Sequence, residues 1–106
     1  MKHYIVKFEH TDLKRWKKYV VPHVLYLKKL IKQGHLIVSG PTVNARKDKK
    51  EAYLIFKVKN RDELMTLLEK DPFWYKGLVS NYTIEEWKPL FGNLEQLTNE
   101  EFNDEE

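Results

Sequence analysis

The sequence predicts an α+β domain with a four-stranded antiparallel sheet and two helices on one face of that sheet. Three observations predict it. The chain has 106 residues, a length that fits one domain. Four segments have the alternation or the composition of β-strands. Two further segments have helical spacing of apolar residues and the residue types that begin and end helices.

Strand patterns occur at residues 3–9, 36–39, 52–59 and 79–87. In the first and third, apolar side chains alternate with others, so that one face of each strand is expected to meet the core. Gly40-Pro41 is expected to end the second strand. The inward sets are Tyr4, Val6 and Phe8 in the first strand and Leu54, Phe56 and Val58 in the third.

Helix signals occur twice. Residues 11–19 are polar and basic, which predicts a loop, and Pro22 then predicts a helix that begins there, because proline is favoured at the first helical position. Gly34 predicts its end. Asn60, with Glu63 three residues on, predicts the start of a second helix. The predicted inward residues are His23, Leu27, Leu30 and Ile31 in the first helix, and Leu64, Leu67 and Leu68 in the second.

The order strand, helix, strand, strand, helix, strand is the split βαβ, or ferredoxin-like, arrangement. Two helices cover only one face of its sheet, yet Ile5, Tyr53 and Ile55 place apolar side chains on the other face. A second copy packed by two-fold symmetry would cover that face, which predicts a homodimer. The alternative is that aromatic and β-branched residues are simply favoured in strands.

Composition excludes several classes of protein. There is no cysteine, which excludes disulfides, thiolate metal sites and cysteine nucleophiles. The apolar runs are of strand length, and the N-terminus leads directly into a strand pattern, so we expect a cytoplasmic protein that is not embedded in a membrane.

Charge is distributed unevenly along the chain. Six of the 16 acidic residues lie in residues 93–106, which contain no Lys or Arg, so we divide the chain into a domain at 1–92 and an acidic tail at 93–106. The domain is strongly basic, which favours an anionic binding partner. That partner could be the protein's own acidic tail, which is expected to be either docked on the domain or mobile. The alternative is that these charges are only solvated faces.

Three motifs occur in a familiar order. They are Pro-His at 22–23 in a helix that Gly34 ends, Ser-Gly-Pro at 39–41 after a short strand, and Asp-Pro-Phe at 71–73 ahead of the last strand. In order and spacing the chain resembles the YciI-like family of small YCII-related proteins over residues 1–90. Two departures affect the expected charge and shape of the pocket: Val21 stands where the family often has a basic residue, and 48–51 are charged where it is often glycine-rich.

The resemblance implies a dimeric α+β barrel with a pocket near the dimer interface. By matching position, it implies that His23 and Asp71 face each other in that pocket. It also implies proton-transfer chemistry, such as elimination or isomerisation on small cyclic compounds, without a cofactor.

The residues themselves give these two side chains possible roles. His23 would lie in the first turn of its helix, where the helix dipole favours a neutral imidazole that can accept a proton. Asp71 could orient that imidazole and stabilise its protonated form. The alternative for His23 is a half-buried histidine bonded to backbone. Because Asp71 precedes Pro72, it is also expected to cap a short helix, and both of its roles can hold at once.

Ser39, at the end of a strand, could bind an oxygen of the substrate, but no nucleophile elbow surrounds it and ending the strand is its other role. His3, His10 and His35 lack metal-ligand spacing, so no metal is expected.

These observations support three function classes. The first is a lyase or isomerase that uses His23 and Asp71, and the second is a non-catalytic protein that binds or senses a small, anionic or cyclic metabolite. The third is a nucleic-acid module, because RNA-recognition domains share this element order and stack bases on aromatic rings such as Tyr4, Tyr53 and Phe56. The glycines and aromatic spacing of that module are absent, which disfavours the third class.

Overall fold

The computed structural model of the protein describes residues 1–43 and 46–93. The acidic segment beyond residue 93, for which we predicted a docked or mobile tail, lies outside the described residues. The elements in chain order are β1 (Lys2–His10), α1 (Leu13–Lys32), β2 (Leu36–Pro41), β3 (Lys50–Val58), α2 (Arg61–Glu69), α3 (Pro72–Tyr75) and β4 (Asn81–Trp87). Within the described ranges, no helix is both long enough and apolar enough to cross a membrane.

The four strands form one sheet in the order β2-β3-β1-β4, and every neighbouring pair is antiparallel. Val6 at the centre of β1 is paired with Leu54 of β3 on one side and with Ile84 of β4 on the other. This arrangement confirms the predicted α+β fold of ferredoxin-like type.

The core lies between the sheet and the helices, and the inward sets predicted for β1 and β3 are confirmed. Alternate residues of both strands are buried because successive side chains of a strand point to opposite faces. Leu30 of α1 and Leu64 and Leu68 of α2 pack against them. The buried strand residues are Tyr4, Val6, Phe8, Leu54, Phe56 and Val58.

The predicted start of the first helix is wrong. Helix α1 begins at Leu13, where the carboxylate of Asp12 accepts a hydrogen bond from the backbone N–H of Arg15 at 3.2 Å, and the segment at 11–19 is therefore mostly helical. Pro22 lies inside this helix rather than at its first position. Its side of the helix is exposed to solvent, so the backbone carbonyl that Pro22 leaves without an N–H donor can be hydrated.

The end of α1 agrees with the sequence. Gly34 has a positive φ of 80°, the left-handed conformation that glycine adopts without a steric penalty. The N–H of His35 then bonds to the carbonyl of Leu30 at 2.9 Å, and the N–H of Gly34 to that of Ile31 at 3.0 Å. These two bonds form a Schellman motif, which turns the chain directly into β2.

Helix α2 begins as predicted. The side chain of Asn60 accepts the N–H of Glu63 at 2.9 Å, and the carboxylate of Glu63 accepts the N–H of Lys59 at 2.7 Å. This reciprocal pair resembles a capping box and satisfies two backbone donors at the start of the helix.

Strand β2 contains an irregularity that changes which side chains face the helices. Leu36 is paired with Phe56, but Val38 is paired with Ile55, so the register shifts between them. Ser39 is consequently paired with Leu54, a buried residue on the helix-facing side of the sheet. A strand without this bulge would turn Ser39 to the opposite face, because side chains alternate.

Candidate active site

A cavity of about 350 Å³ lies between α1 and the end of the sheet where β2, β3 and the C-terminal end of β1 meet. Most of its lining is apolar and comes from Phe8, Leu54, Val20, Leu27 and Phe73. An apolar cavity of about 150 Å³ holds benzene. This cavity is therefore large enough for a single ring with substituents. The polar residues of the lining are His10, His23, Ser39, Thr42, Lys50 and Glu51.

His23 of α1 and Asp71 at the start of α3 are brought together beside this cavity. The imidazole Nδ1 of His23 lies 2.8 Å from Oδ1 and 2.9 Å from Oδ2 of Asp71. A carboxylate only accepts hydrogen bonds, so Nδ1 carries the proton and donates it. In the neutral imidazole, Nε2 is then the acceptor, and His23 is a lining residue of the cavity.

Asp71 also caps α3. Its Oδ1 accepts the backbone N–H of Phe73 at 2.9 Å, and Pro72 occupies the first turn. The side chain is buried, and these hydrogen bonds compensate for the removal of its carboxylate from water. The cap and the contact with His23 thus occur together.

The local position of His23 differs from the prediction. Because α1 begins at Leu13, His23 lies near the middle of a 20-residue helix and not in its first turn. The helix dipole acts mainly within the first and last turns, so it does not set the charge of this imidazole. The immediate surroundings of His23 are instead Asp71 and the ring of Phe73, which stacks on the imidazole with ring centroids 4.0 Å apart.

Ser39 lies at the rim of the cavity. The bulge in β2 turns it to the helix-facing side of the sheet, where it is exposed to solvent and lines the opening. Thr42, which follows β2, also lines the cavity. Its hydroxyl Oγ1 is buried and has no hydrogen-bond partner within the described ranges. A buried hydroxyl in that situation favours a hydrogen bond from whatever enters the cavity.

His10, at the end of β1, is a second imidazole in the lining. Only 2% of its surface is exposed, and its Nδ1 lies 2.7 Å from the carbonyl oxygen of Leu78. Burial lowers the pKa of His10 and the nearby His23 adds to that effect, while the hydrogen bond to Leu78 and the charge of Asp71 act in the opposite direction. The net shift is downward, so His10 is neutral at pH 7.

Comparison with known proteins identifies the family. The family model described as YCII-related domain matches residues 1–88. The chain belongs to the YCII-related family. The resemblance that the sequence motifs indicated is thereby confirmed. No curated protein matches the chain.

Solved structures with the same fold include one that shares appreciable sequence with this YCII-related protein. It is 5-chloro-2-hydroxyhydroquinone dehydrochlorinase from Burkholderia phenoliruptrix, in complex with 2,5-dihydroxybenzoquinone. The two chains are 27% identical with a TM-score of 0.70, over 81% of this chain and 93% of that one.

Two other structures are similar in fold alone. The de novo designed protein Ferredog-Diesel has a TM-score of 0.55 and 13% identity, over 78% of this chain and 83% of the design. An uncharacterized NIPSNAP domain protein from Burkholderia xenovorans has a TM-score of 0.54 and 11% identity, over 85% of this chain and 95% of that one.

In this YCII-related protein, His23 and Ser39 line one cavity, and Asp71 lies beside it in contact with His23. Sequence analysis did not assign several other residues of this lining, which include His10, Trp16, Thr42 and Lys50. A signal for His10 was present, because extending the alternation of β1 by one step puts it on the face of Phe8. The ammonium of Lys50 lies 4.6 Å from the centre of the Trp16 ring, a cation–π contact at the cavity.

The aromatic rings that suggested base stacking are not available for it. Tyr4 and Phe56 are buried in the core between sheet and helices, and Tyr53 alone among the three is exposed. RNA-recognition domains stack bases on an open sheet face. The positions of these rings therefore argue against that function.

Proposed function

We propose that this YCII-related protein is a small-molecule lyase or isomerase that needs no cofactor and uses His23 as its general acid and base. The observation that carries the proposal is the contact of His23 Nδ1 with both carboxylate oxygens of Asp71 at 2.8 and 2.9 Å. It leaves Nε2 as the basic atom of an imidazole in the cavity lining.

Asp71 would act through His23. Its carboxylate keeps the proton of the neutral imidazole on Nδ1 and would stabilise the imidazolium that forms when Nε2 takes up a proton. The hydrogen bond from Phe73 and the stacking of Phe73 on His23 limit the movement of both groups. The base is thus oriented before a substrate binds.

The cavity favours a cyclic substrate with polar substituents. Its apolar walls suit the faces of a ring, and Ser39, Thr42 and Lys50 stand where substituents would lie. Lys50 supplies a positive charge for an anionic oxygen or a departing anion. In most ligand pockets a small number of polar groups is sufficient to orient the ligand.

An elimination is the reaction that we favour, because the similar Burkholderia structure is a dehydrochlorinase complexed with a dihydroxylated quinone. In such a step Nε2 of His23 removes one proton from the substrate, and the electron pair of the broken bond forms a new double bond. Chloride leaves with the electron pair of the carbon–chlorine bond. The substrate loses one equivalent of hydrogen chloride, and nothing is oxidised or reduced by the protein.

Chloride release from 5-chloro-2-hydroxyhydroquinone tests the proposal. We expect the wild type and His35→Gln to release chloride and His23→Gln to do so at least 100-fold more slowly, a typical contribution of acid–base catalysis. His35 is a suitable control because it lies outside the cavity lining. Equal rates for wild type and His23→Gln would disprove the role of His23. Binding of 2,5-dihydroxybenzoquinone without any turnover would support the second candidate, a metabolite-binding protein.

We also propose that the protein is a homodimer through the sheet face that the helices leave uncovered. Ile5 and Ile55 are paired at the centre of that face, and Tyr53 beside them is 45% exposed. An apolar centre on an open sheet face favours association, because burying it releases water from apolar surface.

A further inference from the structure

His10 has a fixed orientation and a fixed tautomer. Its Nδ1 lies 2.7 Å from the carbonyl oxygen of Leu78, which can only accept, so Nδ1 carries the hydrogen. The remaining ring nitrogen, Nε2, then bears a lone pair whenever the imidazole is neutral. Among residues 1–43 and 46–93, none provides a hydrogen-bond donor to Nε2.

The surroundings of His10 favour its neutral form. The polar partner of His10 is a neutral carbonyl, whereas that of His23 is a carboxylate. Burial lowers the pKa of His10, and the proximity of His23 lowers it further. Lys50, its cross-strand neighbour, is a further positive group on the same face. The Nε2 of His10 therefore remains a hydrogen-bond acceptor.

The two imidazoles are close enough for one small molecule to reach both. Each contacts the ring of Phe73, with centroid separations of 4.0 Å for His23 and 4.8 Å for His10. The ring centroids of the two imidazoles can therefore be no farther apart than the sum of these two separations. Both residues line the same cavity, whose volume accommodates one substituted ring.

We propose that His10 is a second ligand-binding side chain of this cavity and that its Nε2 accepts a hydrogen bond from a hydroxyl group. The preferred ligand is a ring with two hydroxyl groups, one for each imidazole. This proposal rests on the proposed function, because both assume that the ligand binds in the same cavity. A ligand with a carbonyl or carboxylate at the position of the second hydroxyl would place its oxygen lone pairs against the lone pair of His10 Nε2. His10 therefore disfavours such a ligand.

The competing explanation is that His10 is only a packed ring with one backbone partner. His10→Asn separates the two explanations, because its amide N–H₂ can replace the Nδ1 donor to Leu78 while no acceptor remains at the place of Nε2. A role in packing alone would leave ligand selectivity unchanged in this variant.

The test compares resorcinol, which has two hydroxyl groups, with 3-methoxyphenol, which has one. Dissociation constants are measured by calorimetry for wild type and His10→Asn, and the ¹⁵N resonances of both histidines are followed in the wild type. We expect wild type to prefer resorcinol about tenfold, as one lost hydrogen bond with a buried acceptor predicts, and His10→Asn to lose that preference. Resorcinol should also shift the Nε2 resonance of His10.

Each other outcome overturns the inference. If resorcinol shifts the His23 resonances and leaves the His10 Nε2 resonance unchanged, the role of His10 is disproved, but the ligand class proposed for the cavity is still supported. The same holds if His10→Asn keeps the tenfold preference. If resorcinol shifts neither histidine, this inference and the ligand class proposed for the cavity both fail. Should His10→Asn not fold, the wild-type resonances decide alone.

Discussion

His23 Nδ1 lies 2.8 Å from Oδ1 and 2.9 Å from Oδ2 of Asp71, although 48 residues separate the two along the chain. The same Oδ1 accepts the N–H of Phe73 and so caps α3. Formation of this short helix therefore fixes the carboxylate that holds the imidazole. The local structure at residues 71–73 and the geometry of the site depend on the same atoms.

Asp71→Asn separates the charge of this side chain from its capping role. Asparagine is as good an N-cap as aspartate, so the fold should persist. It cannot stabilise an imidazolium as a carboxylate does, so we expect kcat for chloride release to fall by about 10²–10⁴-fold with a smaller change in KM. Steady-state kinetics and the ¹⁵N spectrum of His23, which reports its tautomer, check this expectation.

Asp12→Asn is the matched control for that variant. Asp12 caps α1 through its contact with the N–H of Arg15, and it does not line the cavity. The same chemical change there should leave kcat unaltered. If both variants lose activity equally, the effect of Asp71→Asn is one of stability, and its role in orienting His23 is not supported.

Ser39→Ala should weaken ligand binding and leave stability unchanged. Ser39 is exposed at the rim of the cavity, and its hydroxyl has no hydrogen-bond partner among residues 1–43 and 46–93. We expect about a threefold to tenfold rise in the dissociation constant of 2,5-dihydroxybenzoquinone, the effect of one hydrogen bond. Ser80→Ala, which removes a hydrogen bond to the Glu9 carbonyl away from the cavity, is the control. Unchanged affinity in Ser39→Ala would assign Ser39 to strand structure alone.

His10 makes the stability of the protein depend on pH in the weakly acidic range. Because burial holds its pKa in the folded protein below the usual 6.5, the unfolded chain binds a proton first as the pH falls. The contribution of His10 to the free energy of unfolding should therefore be fully present well above pH 6.5 and decrease as the pH falls through 6.5, until the folded protein is also protonated. His3, whose pKa is lowered mainly by burial as well, contributes in the same direction.

Urea denaturation at several pH values between 5 and 8 measures this dependence. Wild type should lose stability between pH 6.5 and 5, and His10→Asn should lose less over the same interval, because it lacks that titrating group. Parallel curves for the two proteins would show that His10 does not titrate differently in the folded and unfolded states.

The proposed dimer predicts that a charge at the centre of the uncovered sheet face produces monomers. Ile55 is paired with Ile5 there, so Ile55→Glu would bury a carboxylate in the interface. Light scattering after size exclusion should give twice the 12.8 kDa chain mass for wild type and the single mass for the variant. Thr66→Glu, on the exposed side of α2, introduces the same charge and should remain dimeric. A monomeric wild type would disprove the dimer.

Much of the fold followed from local signals in the sequence. The alternation of β1 and β3 and the cap at Asn60 act within a few residues, and the structure has them as predicted. The orientation of Ser39 could not be predicted, because it depends on a bulge that only the pairing of β2 with β3 creates. The carbonyl that fixes His10 belongs to Leu78, a residue far away in the chain, and the sequence contains no sign of that contact.

The start of α1 was missed because two helix signals compete. Proline favours the first helical position, which made Pro22 the stronger signal, while Asp12 supplied an ordinary cap further upstream. The helical spacing continues from Asp12 past Pro22. The cavity is lined along this stretch of α1 by Trp16, Val20, His23 and Leu27. Packing of this continuous stripe outweighs the hydrogen bond that Pro22 removes.

Pro22→Ala tests that explanation. Alanine restores the missing backbone N–H inside α1 and has the highest helix propensity, whereas proline costs about 3 kcal/mol in a helix interior. The unfolded chain gains freedom when proline is removed, which offsets about 0.4–1 kcal/mol of that benefit. We therefore expect the free energy of unfolding in urea to rise by about 1–3 kcal/mol. Val21→Ala, at an exposed neighbouring position, should change it far less. A loss of stability in Pro22→Ala would mean that the proline ring itself stabilises this helix.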